Sequence, residues 1–380
     1  MSGVGLARPV HGMSLDEATP DWPPLSVEEL TDVFHDLPGL SHEEPRVVWH
    51  SPRPMSTSGR VRVADFEVFV KRHHREVRND TRLRVEHHFS DHLRSRGLST
   101  PRVHRGENGV SVHTRGEYLY EVFDLALGED RYADVASWLS YLSPADAAQA
   151  GAALASFHAA SADFDEPATP WSVLSDSVDL LTSSSLSETL ARLVSDRPGL
   201  ALGLSTYPYL DDASDVLEGP LARARELTVD EAPLWTHGDW HPSNLTWSES
   251  GDVASVIDLS LANRTFALRD LALAIERAVV DWLDSARRGV IDFDEPALRA
   301  LLSGYHSRRP LSRADREALS VLLPVVHVEF ALSEVEYFAA VTGSLVNRDL
   351  AYRNYLLGHV QWFTTTPGRR LLDLVRHPDL

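Results

Sequence analysis

Several residue types that often define a protein class are absent or scarce in this chain of 380 residues. Cysteine is absent, which excludes disulfide bonds, thiolate metal sites and a cysteine nucleophile. No run of about 18 apolar residues occurs, so the sequence predicts no transmembrane helix. The first residues lack a basic start followed by an apolar run, and we therefore expect no signal peptide and a cytoplasmic protein. Lysine is reduced to one residue, Lys71, among 36 basic side chains.

This single lysine lies at the end of an alternating, strand-like segment, directly after Phe66–Val70. An ammonium group is a compact point charge, and the larger, planar guanidinium of arginine is a poor substitute for it at a phosphate. A lysine retained in a chain that otherwise uses arginine therefore indicates a phosphate-binding position.

Three polar residues at fixed spacing lie between apolar, strand-like flanks in the second half of the chain. Residues 237–244 read His-Gly-Asp-Trp-His-Pro-Ser-Asn, and Asp258 follows fourteen residues after Asn244. Kinase-like phosphotransferases use an Asp and an Asn five residues apart, and then a second Asp, to orient a hydroxyl group and to hold magnesium. The motif predicts Asp239 as the catalytic base. It predicts Asn244 and Asp258 as Mg²⁺ ligands, because their oxygen atoms suit a hard cation.

These pieces resemble the aminoglycoside phosphotransferase and choline kinase-like family, over about residues 46–360. The resemblance implies an α+β, bilobal protein-kinase-like fold with a small β-rich N-lobe and a larger, mostly helical C-lobe. We expect the N-lobe, which binds the nucleotide, over residues 25–124 and the C-lobe over residues 125–380. Four prolines and little periodicity predict a mobile or loosely docked arm over residues 1–24.

The same resemblance assigns residues to the nucleotide, which is ATP or GTP. Lys71 looks like the lysine that grips the phosphates, and Glu86 looks like its ion-pair partner. Ser58 belongs to the segment that would cover the phosphates, residues 54–59. That segment has one glycine and three hydroxyl side chains where the family is usually glycine-rich.

Two further assignments follow from the order of the pieces along the chain. Glu121 and Phe123 would lie at the hinge between the lobes and offer backbone groups to adenine. Asp270 lies in an Arg-Asp-Leu-Ala segment that looks like the family's Asp-Leu-Ala signature. It can cap the following helix, and the resemblance implies that it also braces the catalytic loop.

Charge is unevenly distributed along the chain. Residues 51–115 carry fourteen basic and seven acidic side chains, whereas the whole chain has a net charge of −20. A basic small lobe and an acidic large lobe fit a nucleotide and a cationic acceptor, and they disfavour nucleic acid as a partner. Asp281, Glu329 and Glu336 lie beside aromatic residues on late helices and are candidate contacts with such an acceptor. A charged solvent face beside a packing face explains the same pattern.

The motifs leave several functions open. For a small-molecule kinase, the hydroxyl acceptor is an aminoglycoside or other antibiotic, an amino sugar, a choline-like alcohol or homoserine, and the protein is a monomer or homodimer. His237, Asp239 and His241 alternate, which suits a metallohydrolase with a metal on one strand face. However, Pro242 ends that strand at once. A third interpretation is a catalytically silent kinase fold that binds a ligand.

Local signals also predict individual helices. Ser26 and Ser143 are predicted helix N-caps, and Gly97 is predicted to end a helix over residues 81–96. Two long helices are predicted after Asp258, over about residues 268–286 and 313–341.

Overall fold

The computed structural model describes residues 20–40, 43–283 and 290–378. Its N-lobe contains α1 (Val27–His35), β1 (Arg46–His50), β2 (Thr57–Val63), β3 (Phe66–His74), α2 (Asp80–Ser95), β4 (His113–Arg115) and β5 (Tyr118–Asp124). The five strands form one antiparallel sheet with the order β1-β2-β3-β5-β4.

Alternation along the strands builds the core of this lobe. Val61, Val68 and Val122 are buried in one cluster with Leu30 and Phe34 of α1. The predicted cap of α1 is confirmed, because the Ser26 hydroxyl accepts a hydrogen bond from the Glu29 N–H group at 3.2 Å. The predicted end of α2 is also confirmed: Gly97 follows it with a φ of +85°, which glycine adopts without steric cost.

The C-lobe is mostly helical and has its own large apolar core. Two π-helical segments, Tyr337–Val341 and Ala351–Gly358, adjoin its later helices. No helix in the described ranges is both long and apolar enough to cross a membrane. The elements are α3 (Pro144–Ser161), α4 (Asp179–Thr182), α5 (Leu186–Asp196), α6 (Pro198–Leu204), α7 (Tyr209–Thr228), β6 (Leu234–Thr236), β7 (Leu245–Trp247), β8 (Val253–Val256), β9 (Asn263–Thr265), α8 (Ala267–Val279), α9 (Glu295–Arg308), α10 (Arg313–Leu322), α11 (Val328–Glu336), α12 (Leu345–Leu350), α13 (His359–Trp362) and α14 (Thr366–Arg376).

Two predicted helices end earlier than the periodicity indicated. The single helix expected over residues 313–341 is wrong, because α10 ends at Leu322 and α11 begins only at Val328. Pro324 lies in this gap, and proline has no backbone N–H group to continue a helix. The helix expected from residue 268 to 286 ends at Val279, and residues 284–289 lie outside the described part of the chain.

The end of the predicted N-terminal arm contacts both lobes, whereas residues 1–19 lie outside the described residues. The Asp21 N–H group donates to the Pro54 carbonyl at 3.1 Å, and the Trp22 indole donates to the Met55 carbonyl at 3.1 Å. From the C-lobe, the Tyr337 hydroxyl donates to Asp21 Oδ2 at 2.8 Å. This short segment is therefore docked over the connection between β1 and β2.

Candidate active site

The only lysine of the chain reaches from the small lobe to the large one. Lys71 lies in β3, and its Nζ donates to Asp258 Oδ1 at 2.8 Å. Asp258 has a φ of 59°, in the left-handed region that few residues other than glycine adopt. Burial would raise the pKa of Asp258, but the charge and the hydrogen bond of Lys71 outweigh burial and hold this pKa well below its ordinary value. The two residues therefore form an ion pair between the lobes.

A short hairpin brings Asn244 to Asp258. Asn244 immediately precedes β7, and Asp258 comes two residues after β8. Leu245 and Val256 are paired in the two strands, and the Ile257 N–H group donates to the Asn244 carbonyl at 3.0 Å. Both predicted metal ligands therefore lie at the same end of the hairpin.

Asn244 is also bonded to the predicted base. Its Nδ2 donates to Asp239 Oδ2 at 3.0 Å and to the Asp239 carbonyl at 2.9 Å. Because the amide NH₂ group is turned towards Asp239, the amide oxygen is left for another partner. With the carboxylate of Asp258 it forms an all-oxygen donor set, and such a set fits Mg²⁺.

The backbone of the catalytic loop is held by a buried carboxylate. Asp270 accepts hydrogen bonds from the N–H groups of His237 and Gly238, both at 2.9 Å, and lies 3.0 Å from Nε2 of His158. Burial would raise the pKa of Asp270, but the bonds and charges of these partners hold it below its ordinary value. The brace implied by the family resemblance is present in the structure.

Gly238 is required at its position for two reasons. Its φ is +76°, which a residue with a side chain adopts only at a cost. A Cβ atom there would lie 2.3 Å from the Leu261 carbonyl oxygen, well inside van der Waals contact. The tight turn lets the next residue, Asp239, present its carboxylate beside Asn244.

Arg277 contacts the predicted base and was missed from the sequence. It is buried, and its Nη1 donates to Asp239 Oδ1. Its guanidinium lies 4.8 Å from the ring centre of Trp138 and 5.2 Å from that of Phe330. Burial lowers the pKa of Arg277 to about 10, so it stays cationic at neutral pH. Its position seven residues after Asp270, two turns along the same face of α8, is the signal that could have found it.

Glu86 does not pair with Lys71, and that prediction is wrong. Glu86 is buried, and its Oε1 accepts hydrogen bonds from Arg78 and, at 3.2 Å, from Arg82 Nε. Arg82 lies one turn before Glu86 on α2, and residues so spaced are neighbours on a helix. Lys71 pairs instead with Asp258.

Glu121 and Phe123 do not offer free backbone groups to adenine, because they lie inside a sheet. β5 pairs with β3 on one side, where Lys71 is opposite Glu121 and Phe69 is opposite Phe123. On its other side the His104 N–H group donates to the Val122 carbonyl at 2.7 Å. The Glu121 carboxylate is buried and lies 2.8 Å from His73 and 2.6 Å from His87.

Ser58 lies next to Lys71, although it is part of a strand. The two residues are directly paired in β2 and β3, and residues so paired project to the same face of a sheet. The Ser58 carbonyl accepts a hydrogen bond from the Ser51 N–H group at 2.9 Å. The connection that is left to cover a phosphate therefore spans residues 51–56, before the start of β2.

Two of the three predicted acceptor contacts are engaged within the protein. Glu329 accepts from the Ser177 hydroxyl at 2.7 Å, and burial raises its pKa to about 7. Glu336 accepts from Arg197 Nε at 2.8 Å. These carboxylates are bonded to other side chains of the protein and are not open to an acceptor. Asp281 follows α8, its N–H group donates to the Asp292 carbonyl at 2.9 Å, and its role in acceptor binding stays a prediction.

His237, one member of the proposed hydrolase triad, has no free ligand atom. His237 Nδ1 accepts from the Asp239 N–H group at 3.1 Å, and its Nε2 donates to the Ile257 carbonyl at 3.0 Å. An imidazole with both nitrogens engaged has no lone pair for a metal ion. His237 therefore stabilises the loop, and the geometry argues against a metal shared with Asp239 and His241.

The fold and the site define a bilobal, kinase-like protein. The model of the phosphotransferase enzyme family, APH, matches residues 56–311. The chain therefore belongs to this family, as the motifs indicated.

Curated relatives and solved structures support this placement. Homoserine kinase from Phenylobacterium zucineum (strain HLK1) is 32% identical over 151 residues, which are 37% of this chain and 44% of that protein. Homoserine kinase from Caulobacter vibrioides (strain NA1000 / CB15N) is 29% identical over 135 residues, 35% of this chain and 40% of that protein. The chain thus spans less than half of the length of these relatives.

The solved structures are similar over nearly the whole chain. Amicoumacin kinase hAmiN, in complex with AMP-PNP, Ca²⁺ and Ami, shares 13% identity with a TM-score of 0.56 over 87% of this chain and 95% of that one. Choline kinase from Cryptosporidium parvum Iowa II shares 13% identity with a TM-score of 0.55 over 93% of this chain and 98% of that one. At this identity they show the fold alone, and they confirm the bilobal kinase-like architecture.

Proposed function

We propose that this protein transfers the γ-phosphoryl group of ATP or GTP to a hydroxyl group of a small molecule. The observation that carries the proposal is the 2.8 Å contact between Lys71 Nζ and Asp258 Oδ1, across the two lobes. Asn244 lies at the same end of the hairpin as Asp258 and is bonded to Asp239. A base, two oxygen ligands and a phosphate-binding cation at one place form the set that phosphoryl transfer needs.

Asp239 acts as the base in this proposal. Its carboxylate takes the proton of the acceptor hydroxyl while that oxygen bonds to the γ-phosphorus and the bond to the β-phosphate oxygen breaks, releasing the nucleoside diphosphate. Arg277 donates to one carboxylate oxygen and Asn244 to the other, so the carboxylate is held in a fixed orientation. This orientation matters because positioning supplies most of the catalysis in phosphoryl transfer.

Lys71 and Ser58 would contact the phosphates from the N-lobe side, and Asn244 and Asp258 would hold Mg²⁺ from the C-lobe side. When bound, this ion neutralises charge on the phosphates. Glu86 serves the site indirectly. It accepts from Arg78, whose Nη1 donates to the Ser260 carbonyl at 2.7 Å, two residues after Asp258. Glu86 is therefore a positioning residue for the metal-binding segment.

The acceptor is a small molecule with a free hydroxyl group. The curated relatives are homoserine kinases, and the similar structures include a kinase of amicoumacin and a choline kinase, which supports this class. A cationic amino sugar or antibiotic fits the acidic C-lobe. Because Glu329 and Glu336 are paired within the protein, they are not the groups that would hold its charge.

Nucleoside diphosphate release with Mg²⁺ and a panel of hydroxyl compounds tests the proposal. The panel contains homoserine, choline, amino sugars and aminoglycosides. We expect one class to be phosphorylated and Asp239→Asn to lower kcat by about 100-fold or more, because the base is lost. Asp230→Asn, an exposed position, is the matched control and should leave kcat unchanged. Full turnover by Asp239→Asn would show that the base is wrongly assigned.

Nucleotide binding is measured separately, by thermal unfolding. Mg²⁺ with ATP or GTP should raise Tm, because a ligand that binds only the folded state stabilises it. Lys71→Arg should weaken this stabilisation and lower kcat by about tenfold or more, whereas Arg60→Lys at an exposed position of β2 should not. A nucleotide-dependent rise in Tm without phosphorylation of any compound would favour a catalytically silent protein. No rise with either nucleotide would contradict the site itself.

A further inference from the structure

One group of buried polar side chains is not used by the proposed reaction. Glu276 lies in α8, His327 precedes α11 and His359 begins α13. His359 Nδ1 lies 2.9 Å from Glu276 Oε1, and His327 Nδ1 lies 3.7 Å from Glu276 Oε2. One donor atom from each residue lies within 4.8 Å of those of the other two. The three side chains thus converge on one point inside the C-lobe.

These groups lack the hydrogen bonds that buried polar atoms normally make. Both oxygens of Glu276, both ring nitrogens of His327 and Nδ1 of His359 are buried without a well-aligned hydrogen-bond partner in the described ranges. The three residues are 0%, 2% and 6% exposed, so bulk water does not solvate them. An unsatisfied buried polar group destabilises the folded state, and a set of them at one point indicates a ligand.

The spacing fits a single ion better than a molecule of several atoms. Zinc bound tetrahedrally at about 2.0–2.2 Å by nitrogen and oxygen atoms places those atoms about 3.3–3.6 Å apart. The separations of His359 and His327 from Glu276 bracket this range, at 2.9 and 3.7 Å, and the three donor atoms lie within 4.8 Å of one another. Two imidazoles and one carboxylate are typical zinc ligands, whereas magnesium prefers oxygen atoms alone.

Neighbouring side chains surround the three residues. The Trp282 ring stacks on His359 at 3.7 Å with an angle of 9° between the planes, and its indole donates to the Glu276 carbonyl at 2.8 Å. Glu334 Oε2 lies 3.9 Å from Nε2 of His327, which is the nitrogen turned away from Glu276. Around zinc, the far nitrogen of a ligating histidine commonly bonds a carboxylate, and Glu334 is placed near this nitrogen without yet bonding it.

We propose that Glu276, His327 and His359 bind a divalent transition-metal ion such as Zn²⁺, at a site separate from the one for Mg²⁺. The ion ties the last turn of α8 to the segments that begin α11 and α13. Arg277, which holds Asp239, lies next to Glu276 on that turn. The site is also distinct from the hydrolase triad, which needed His237 and His241.

Metal retention by the full chain tests this proposal. The protein is stripped with EDTA, given Zn²⁺ or Co²⁺ with excess Mg²⁺ to fill oxygen sites, and dialysed. We expect about one zinc ion per chain by elemental analysis, and the intense visible absorption of four-coordinate cobalt. His359→Gln and His327→Gln should lose both signals, and Glu276→Gln should weaken zinc binding by about tenfold or more. Zn²⁺ should also raise the Tm of the wild type, reversibly with chelator.

Two control variants separate this site from other sources of metal. His241→Gln removes a histidine of the hydrolase triad, and His88→Gln removes an exposed one on α2. Both should keep the full zinc content. The proposal is overturned if the wild type retains no zinc, if His359→Gln retains all of it, or if His88→Gln loses it, which would mean an adventitious ion only. It is also overturned if His359→Gln abolishes binding of the hydroxyl acceptor while zinc never binds. Where a variant fails to fold, the zinc-dependent Tm of the wild type decides.

Discussion

The two ends of α8 carry buried polar groups that differ in how completely they are hydrogen-bonded. Near its start, Asp270 accepts from two backbone N–H groups and lies against His158, whose other nitrogen lies 2.9 Å from the Tyr305 hydroxyl. Near its end, Glu276 faces His327 and His359 with few well-formed hydrogen bonds. The protein completes the first cluster by itself, whereas donor atoms of the second have no hydrogen-bond partner among the described residues. Arg277, beside the second cluster, contacts the loop that the first one braces.

The difference also shows what each cluster does to the catalytic loop. A buried network in which every member is satisfied has one arrangement of low energy, and it makes its surroundings rigid. Asp270 therefore fixes the loop backbone around Gly238. An incomplete cluster has no such preference until a ligand fills it.

The largest effect is expected from removing the centre of the satisfied cluster. Asp270→Ala leaves the N–H groups of His237 and Gly238, and the ring of His158, buried without their partner. We expect a loss of about 3–5 kcal/mol in the free energy of unfolding, because breaking a buried, hydrogen-bonded charged network costs that much. Urea unfolding followed by tryptophan fluorescence measures it. Asp230→Ala, at an exposed position, should change stability by less than about 0.5 kcal/mol. Equal losses of unfolding free energy in the two variants would show that the hydrogen bonds of Asp270 add no stability, and the contrast with the unsatisfied cluster would be lost.

The candidate active site could largely be predicted from the sequence, because its residues are close together in the chain or carry a strong signal. Asp239, Asn244 and Asp258 lie within twenty residues, and a short hairpin joins them. Lys71 was found from its rarity, although 187 residues separate it from Asp258.

Side-chain partners that depend on tertiary packing could not be predicted from the sequence. The sequence does not give the rotation of α2 against β3, so Glu86 was assigned to Lys71 when it faces two arginines. Glu329 and Glu336 were interpreted as an acceptor surface. Their partners Ser177 and Arg197 are more than a hundred residues away in the sequence, so these contacts could not be predicted. The interruption of the helix at Pro324 could have been predicted, because proline cannot continue a helix. The apolar periodicity continues across this residue, however, and was given more weight.

A third buried carboxylate, that of Glu329, extends the comparison, because its ionisation makes the stability of the protein depend on pH. Burial raises the pKa of Glu329 to about 7, whereas the pKa of Asp270 is lowered by its partners. Between pH 4.5 and 7 the folded protein keeps a proton on Glu329 that the unfolded chain has lost. Stability should therefore fall as the pH rises through this window, by up to about 3 kcal/mol from this residue.

Unfolding at pH 5 and pH 8, in the wild type and in Glu329→Gln, measures that contribution. The variant should lose less stability between the two pH values, because it has no group to deprotonate. Glu218→Gln, at an exposed position of α7, should follow the wild type. A wild type and a Glu329→Gln variant with the same pH dependence would show that the Glu329 carboxylate is ionised in both states.

A smaller effect is expected at the backbone that Asp270 holds. Gly238→Ala forces a side chain into a φ of +76° and places its Cβ against the Leu261 carbonyl. We expect a cost of about 1–3 kcal/mol in unfolding free energy, and a lower kcat because Asp239 is displaced. Gly251→Ala is the matched control. Its φ is also positive, at +92°, but no atom lies within 4 Å of the added Cβ, so it should cost less and leave kcat unchanged. If both variants lose stability equally, the contact with Leu261 is irrelevant and only the backbone angle matters.

The smallest effect, and one of opposite sign, is expected at Glu334, beside the unsatisfied cluster. Both oxygens of Glu334 are buried without a hydrogen-bond partner in the described ranges, and burial raises its pKa to about 8. At pH 6 the group is therefore mostly protonated, and Glu334→Met removes a polar group without removing a charge. In chelator-treated protein this substitution should stabilise the fold by about 0–1 kcal/mol, because an apolar side chain of similar length leaves nothing unsatisfied. Glu334→Gln keeps the polarity and should not stabilise. A loss above about 2 kcal/mol in Glu334→Met would mean that this carboxyl group is already well bonded, and that the unsatisfied groups near the end of α8 do not include Glu334.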